Sequence, residues 1–125
     1  MQGGTFDTAD SAGRVLVIDF FADYCQPCRR TLPRLEALQK AEPRLVVVGV
    51  SLDDNPASAW KSIGRHHLTF PVVHDAGNVL AGRFRVTDLP FAFVIDRTGQ
   101  VRFAAGPEQP DDALTLAALA ALGGS

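Results

Sequence analysis

One stretch near the start of the chain restricts the possible fold more than any other. Residues 15–21 are β-branched and aromatic, interrupted only by Asp19, which predicts a strand buried on both faces. Residues 28–40 place leucines on one side and charged side chains around the rest, as in an amphipathic helix. Residues 45–50 repeat the buried-strand pattern. Strand, helix and strand at this spacing predict a βαβ unit with two parallel strands and a right-handed crossover.

The middle of the chain predicts a second helix, a strand and a short third helix. Asn55-Pro56 is typical of a helix start, and the helix that follows should use Trp60 and Ile63 as its apolar contacts. Residues 70–73 predict a short strand at a sheet edge, because a proline within it cannot donate to a central ladder. Residues 77–84 predict the short helix.

The last part of the chain predicts a hairpin and a closing helix. Residues 91–95 and 101–104 read as strands around a turn in which Gly99 takes the left-handed position. Asp111 or Asp112 is expected to cap a final helix, and the apolar side of that helix packs against the sheet. Four leucines are expected on that side: Leu114, Leu116, Leu119 and Leu122. The whole order predicts an α/β fold with a mixed central sheet flanked by helices, as one domain over residues 1–125.

The composition excludes several classes of function. A formal net charge of −2 argues against nucleic acid as the main partner, since phosphate binding needs a concentrated basic surface. No apolar run reaches the roughly 18 residues that a membrane span requires. The first 14 residues lack the basic-then-apolar layout of a signal peptide. We therefore expect either a cytoplasmic protein or a chain whose targeting segment has been removed.

The only two cysteines are Cys25 and Cys28, with Gln26 and Pro27 between them. In the chain-entropy account a disulfide stabilises by closing a long loop, and this pair closes almost none, so a structural staple is a poor explanation. A cysteine at a helix start has free N–H groups and the positive end of the helix dipole beside it, which favour the thiolate. We therefore expect Cys25 to be the exposed nucleophile and Cys28 the more buried resolving thiol.

Two other uses of the cysteine pair remain as alternatives. A structural zinc site needs about four ligands, and the chain has no second cysteine pair. The only further candidate ligands are three histidines: His66, His67 and His74. The two cysteines can also be buried as small hydrophobic side chains. Because the C-x-x-C pair follows a buried strand and opens a helix, redox chemistry without a metal is favoured over the zinc site and over simple core packing.

The motif and its surroundings resemble the thioredoxin superfamily, and more narrowly the TlpA/ResA-type thiol–disulfide oxidoreductases. Two stretches carry the resemblance, residues 15–29 and 89–99. It implies a thioredoxin fold in which an extra helix and strand, residues 55–74, precede a cis-proline at Pro90. It also implies reduction of disulfides in protein partners, an upstream redox partner, no cofactor, and a monomer. If a targeting segment has been removed, the resemblance implies a periplasmic location.

The resemblance also assigns roles around the cysteine pair. Asp19 falls where thioredoxin has a buried acid, and burial should raise its pKa so that it can take and return the proton of Cys28. The alternative is an aspartate hydrogen-bonded to loop backbone. In TlpA/ResA-type members an acid in the inserted region assists the site, a role open to Asp53 or Asp54, with solvated loop charges as the alternative.

The expected substrate surface departs from the family pattern at two positions. It consists of five residues: Tyr24, Gln26, Pro27, Leu89 and Pro90. Tyr24 stands where the family usually has Trp, so an aromatic surface persists with a hydroxyl added. Phe91 follows the expected cis-proline where the family commonly has Thr. It gives either a more apolar groove or ordinary core packing.

Two further functions on the same fold are weighed against disulfide exchange. A peroxiredoxin-like peroxidase needs Thr and Pro ahead of its reactive cysteine, whereas residues 22–24 here are Ala-Asp-Tyr. A copper metallochaperone would use both cysteines and His74, but those proteins usually space their cysteines one residue wider. Disulfide exchange is therefore the leading prediction.

Overall fold

The computed structural model describes residues 13–107, 109 and 112–123. Its strands are β1 (Val15–Phe21), β2 (Leu45–Ser51), β3 (Val72–His74), β4 (Phe91–Ile95) and β5 (Val101–Ala105). Its α-helices within those residues are α1 (Cys28–Ala41), α2 (Pro56–His66), α3 (Val79–Arg83) and α4 (Ala113–Gly123). The strands form one sheet in the order β3-β2-β1-β4-β5. The α/β fold with a mixed sheet is therefore confirmed.

Strand β1 lies at the centre of the sheet, parallel to β2 and antiparallel to β4. All seven of its residues are buried, as the apolar run predicts. Successive side chains point to opposite faces of a strand. Val15, Val17 and Phe21 join the cluster that α1 and α4 cover, and the intervening residues join a second cluster beneath α3. Asp19 lies on the same face of β1 as Val15, Val17 and Phe21. Its carboxyl group therefore faces α1, the helix that begins at Cys28.

Helix α2 begins as predicted, but one of its expected core contacts is wrong. The Asn55 side chain accepts a hydrogen bond from the Ala57 N–H at 2.9 Å, and proline occupies the first helical turn. Ile63 packs against the core, whereas Trp60 is 53% exposed. The buried residues of α2 are Ala59 and Ser62, which lie one turn apart on the same face of the helix. The side chain of Trp60 projects from a different face.

The apolar side of α4 also differs from the prediction. Leu114 packs against the core and Leu122 is buried, but Leu116 and Leu119 are exposed. The 3.6-residue period explains the difference, because it places positions 114, 118 and 122 on one stripe and position 116 on the other side. The stripe is completed by alanines: Ala117, Ala118 and Ala121. Of the two expected caps, Asp111 lies outside the described residues, and the helix begins directly after Asp112.

The remaining elements follow the expected order with shifted ends. Strand β3 lies at the sheet edge, as expected for a proline-containing segment, but begins at Val72. Residues 76–78 form a single 3₁₀ turn ahead of α3. Gly99 has a φ of 88°, so the left-handed position predicted for the hairpin is confirmed.

Candidate active site

The two cysteines lie where β1 passes into α1 and are joined by a disulfide bond. A tight turn precedes the helix, in which the Cys25 N–H donates to the Ala22 carbonyl at 3.1 Å. Cys28 is the first residue of α1, and its N–H donates to Sγ of Cys25 at 3.2 Å. Cys25 therefore lies just ahead of the helix rather than within it, with a helix amide directed at its sulfur. That amide and the helix dipole both favour negative charge on Cys25 in the reduced protein.

The cysteines differ in exposure in the order that their expected roles require. Cys25 is 7% exposed and Cys28 is fully buried. The three residues expected beside them to contact substrate, Tyr24, Gln26 and Pro27, are all exposed, with Tyr24 at 73%. Cys25 is therefore the more accessible of the two cysteines, and exposed aromatic and polar side chains border it.

Asp19 is fully buried, and within the described residues neither of its carboxyl oxygens has a hydrogen-bond partner. The alternative of an aspartate bonded to loop backbone is therefore wrong. Burial raises the pKa of Asp19 well above its usual value, because the charged form loses its hydration without compensation. A carboxyl group in this state is a poor structural residue, since an unpartnered buried polar group costs stability.

A cavity of about 60 Å³ connects Asp19 with the active-site turn. Its wall includes Pro27 next to Cys28, Leu35 and Thr31 of α1, and Pro90 from the segment before β4. One water needs roughly 10–15 Å³ of accessible space, so the cavity is large enough for several. The carboxyl group of Asp19 therefore borders a space that is large enough to hold water.

The segment before β4 supplies the other wall of the site. The Leu89–Pro90 peptide bond is cis, in agreement with the prediction. Leu89 and Pro90 are half-buried, and Pro90 lines the cavity beside Asp19. The Phe91 ring packs against the Phe93 ring with centroids 5.2 Å apart, so core packing accounts for this departure from the family pattern.

Sequence reasoning missed a hydrogen-bond network that holds the turn ahead of Cys25. The Asp23 N–H donates to the Asp53 carboxylate at 2.9 Å, and the Ser51 hydroxyl donates to the same carboxylate at 2.8 Å. The Asp23 side chain accepts from Ser62 at 3.0 Å and from Arg65 at 2.5 Å. Apart from the local Ser51–Asp53 bond, these contacts join residues 30 to 42 positions apart, a distance at which sequence patterns carry no signal.

The other acids and histidines singled out in the sequence take separate places. Asp54 is exposed, whereas Asp53 is buried and engaged in the network just described. His74 ends β3, and its Nε2 lies 2.7 Å from the Asp53 carbonyl oxygen. Among the described residues, no group of three or more His, Cys, Asp or Glu side chains is placed to hold a metal ion. No helix within those residues is long and apolar enough to cross a membrane.

Comparison with known proteins identifies the family of this chain. A thiol-disulfide oxidoreductase ResA from Bacillus thuringiensis is 25% identical over 103 residues, which are 81% of this chain and 60% of the relative. ResA from Oceanobacillus iheyensis is 28% identical over 99 residues, 78% of this chain and 52% of the relative. The chain thus spans little more than half the length of these curated relatives.

A solved structure extends the comparison. A Chlorobium tepidum protein assigned as the thiol:disulfide interchange protein DsbE superposes with a TM-score of 0.81 and 33% identity. The match covers 92% of this chain and 84% of that protein. The model of the AhpC/TSA family matches residues 1–104. By its sequence, its thioredoxin fold and its paired cysteines, this chain belongs to the AhpC/TSA family.

Proposed function

We propose that this chain is a thiol–disulfide oxidoreductase that reduces disulfides in protein partners. The observation that supports it most strongly is the arrangement of three groups. The first amide of α1 is directed at Cys25, Cys28 is buried behind it, and Asp19, without a hydrogen-bond partner among the described residues, lies on the face of β1 that α1 covers. The names of the relatives, thiol-disulfide oxidoreductase and thiol:disulfide interchange protein, support the same class of reaction.

The proposed reaction begins with both cysteines reduced. The Cys25 thiolate attacks one sulfur of the partner's disulfide, so that a mixed disulfide forms and one partner thiolate leaves. Cys28 then transfers its proton to the Asp19 carboxylate and attacks the Cys25 sulfur. The mixed disulfide breaks, the second partner thiolate leaves, and the Cys25–Cys28 disulfide remains. Two electrons have passed to the partner, and a dithiol donor from an upstream protein restores the reduced pair.

The exposure of Cys25 and the pKa of Asp19 suit these roles. Only the more exposed sulfur can meet a protein disulfide, and the helix amide on it favours the attacking thiolate. A carboxylate of ordinary pKa is too weak a base for a thiol, whereas the raised pKa of Asp19 brings it toward the range in which proton exchange is efficient. The cavity beside Asp19 offers the proton a route to water.

The proposal is tested by following insulin reduction with dithiothreitol as the electron donor. We expect the wild type to accelerate the reaction, and Cys25→Ser to abolish that acceleration. The matched control is Ser58→Ala, a half-buried helix residue remote from the cysteines in sequence, which should retain the wild-type rate. A wild-type protein that leaves the dithiothreitol rate unchanged, while binding or consuming hydrogen peroxide, would favour the peroxidase alternative instead.

A further inference from the structure

The turn ahead of Cys25 carries an acidic residue that works against the proposed chemistry. Asp23 precedes Cys25 by two positions, so chain geometry keeps their Cα atoms within about 7 Å. Because the two residues are so near in the chain, an unpaired carboxylate on Asp23 would disfavour the Cys25 thiolate by Coulomb repulsion. If the charge of Asp23 were unbalanced, the nucleophile would form less readily near neutral pH.

Helix α2 balances this charge from across the fold. Arg65 donates to the Asp23 carboxylate at 2.5 Å and forms an ion pair with it. Ser62, one turn earlier on α2, donates to the same oxygen at 3.0 Å. Burial acts to raise the pKa of Asp23, but these hydrogen bonds and the neighbouring arginine charges outweigh it, so the pKa lies below its usual value. The carboxylate is therefore ionised and paired at neutral pH.

The position of Asp23 is fixed on its backbone side as well. Its N–H donates to both carboxylate oxygens of Asp53, at 2.9 and 3.2 Å, and its carbonyl accepts from Arg29 at 3.4 Å. Asp53 is in turn held by the Ser51 hydroxyl. The carboxylate of Asp23 is thus held in a fixed position relative to the turn that carries Cys25.

Other charged groups near the turn come from every element packed around it. Arg29 lies on α1, His66 follows Arg65 on α2, and Asp53 lies between β2 and α2. Burial, together with the charges of Arg65 and Arg29, lowers the pKa of His66, so this histidine is neutral at neutral pH. Asp19 lies beneath the turn on β1, and Asp88 is an exposed residue ahead of the cis-proline. Substitutions of Arg65 and Asp23 leave these five residues in place, although the pKa of His66 rises when the Arg65 charge is removed and falls when the Asp23 charge is removed.

We propose that Arg65 is a positioning and charge-balancing residue for the nucleophile: by pairing with Asp23 it keeps that carboxylate from opposing the Cys25 thiolate. This inference rests on the proposed function, because it concerns the readiness of Cys25 to attack. According to this proposal α2, the helix between β2 and β3, contributes to the reactivity of Cys25. The pair is 42 residues apart in sequence and meets only in the folded chain.

The test compares the titration of Cys25 in four proteins that all carry Cys28→Ser, so that one thiol titrates alone. They are the parent, Arg65→Gln, Asp23→Asn and the double variant. The rate of iodoacetamide labelling is measured against pH. Below the parent midpoint we expect labelling about threefold to tenfold slower in Arg65→Gln and faster by a similar factor in Asp23→Asn. The double variant should return close to the parent.

A matched control separates charge balance from general effects of removing an arginine. Arg44 pairs with Glu42 at 2.7 Å ahead of β2, at the opposite end of the strand from the active-site turn, so Arg44→Gln should leave the titration unchanged. Thermal melts show whether each variant is folded. Equal titrations in all variants, or shifts in the same direction for Arg65→Gln and Asp23→Asn, would overturn the proposal. Because labelling needs no partner protein, this outcome is independent of insulin reduction.

Discussion

The backbone N–H of Cys28 donates a hydrogen bond to Sγ of Cys25 at 3.2 Å, so the first amide of α1 is directed at the more exposed sulfur. The same helix start buries Cys28 completely. One local feature, a helix that begins at the second cysteine, thus separates the two thiols into an attacking and a resolving group.

We expect Cys25 to be alkylated first in the reduced protein. The helix amide and greater exposure both favour its thiolate, whereas Cys28 has neither advantage. Substoichiometric iodoacetamide near neutral pH, followed by peptide mass mapping, identifies the labelled residue. Labelling at Cys28 before Cys25 would reverse the assignment of roles.

Replacing Asp19 with asparagine should stabilise the fold at neutral and higher pH. The raised folded-state pKa means that the native protein holds this proton to higher pH than the unfolded chain does. Stability is therefore fully present below the unfolded pKa and is lost as pH rises through the folded one. Above that range Asp19→Asn should gain about 1–3 kcal/mol, because no buried charge remains. Urea midpoints against pH measure the difference.

The same substitution should slow the second step of the reaction, because asparagine cannot accept the proton of Cys28. Disulfide reduction by Asp19→Asn is expected to fall by about 10²–10⁴-fold, the usual contribution of a general base. Asp88→Asn, at an exposed aspartate, serves as the control in both assays. If Asp19→Asn matches the wild type in rate and in stability at every pH, the proton-transfer role is wrong.

The orientation of α4 is tested by two leucines on the same helix. Leu122→Ala should lower the free energy of unfolding by about 2–4 kcal/mol, since it empties a buried position of the core. Leu116→Ala removes the same atoms from an exposed position and should change stability by less than about 0.5 kcal/mol. Equal losses for the two variants would show that the helix presents a different side to the sheet.

Two glycines should respond to alanine in opposite directions. A Cβ at Gly49 would lie 3.0 Å from the Phe21 ring and 3.1 Å from the Phe70 ring, so Gly49→Ala should cost about 1–3 kcal/mol. Gly64 lies within α2, and beyond its chain neighbours and its own helix backbone no atom of the described residues lies within 4 Å of a Cβ at this position, so Gly64→Ala should add about 0.5–1 kcal/mol by favouring the helix. Denaturant midpoints of both variants measure this, and a stabilising Gly49→Ala would contradict the packing of β2.

The parts of the fold that were predictable from sequence depend on local physical chemistry. Four features are determined by residues close to one another in sequence: the buried strand β1, the cysteine turn, the Asn55 cap and the left-handed Gly99. The side that a helix presents is a finer question. Trp60 was misplaced because hydrophobicity alone suggested burial, although the side chain lies off the buried face of its helix.

The network around the active-site turn was beyond sequence reasoning for a different reason. Asp23 and Arg65 meet only because α2 packs beside the carboxyl ends of β1 and β2. Asp53 is a candidate acid from its sequence position, and only the structure shows that its carboxylate binds the backbone N–H of Asp23 in the turn. Charged residues in loops look alike in sequence, and only tertiary structure decides which become paired.

The central claim, that Cys25 attacks and Cys28 resolves, is tested most directly by trapping the mixed disulfide. Reduced Cys28→Ser and reduced Cys25→Ser are each mixed with a disulfide-bonded protein substrate, and the adducts are mapped by mass spectrometry without reductant. The account predicts a persistent adduct on Cys25 in Cys28→Ser and little or none on Cys28 in Cys25→Ser. A persistent adduct on Cys28, or no adduct on Cys25, would contradict it.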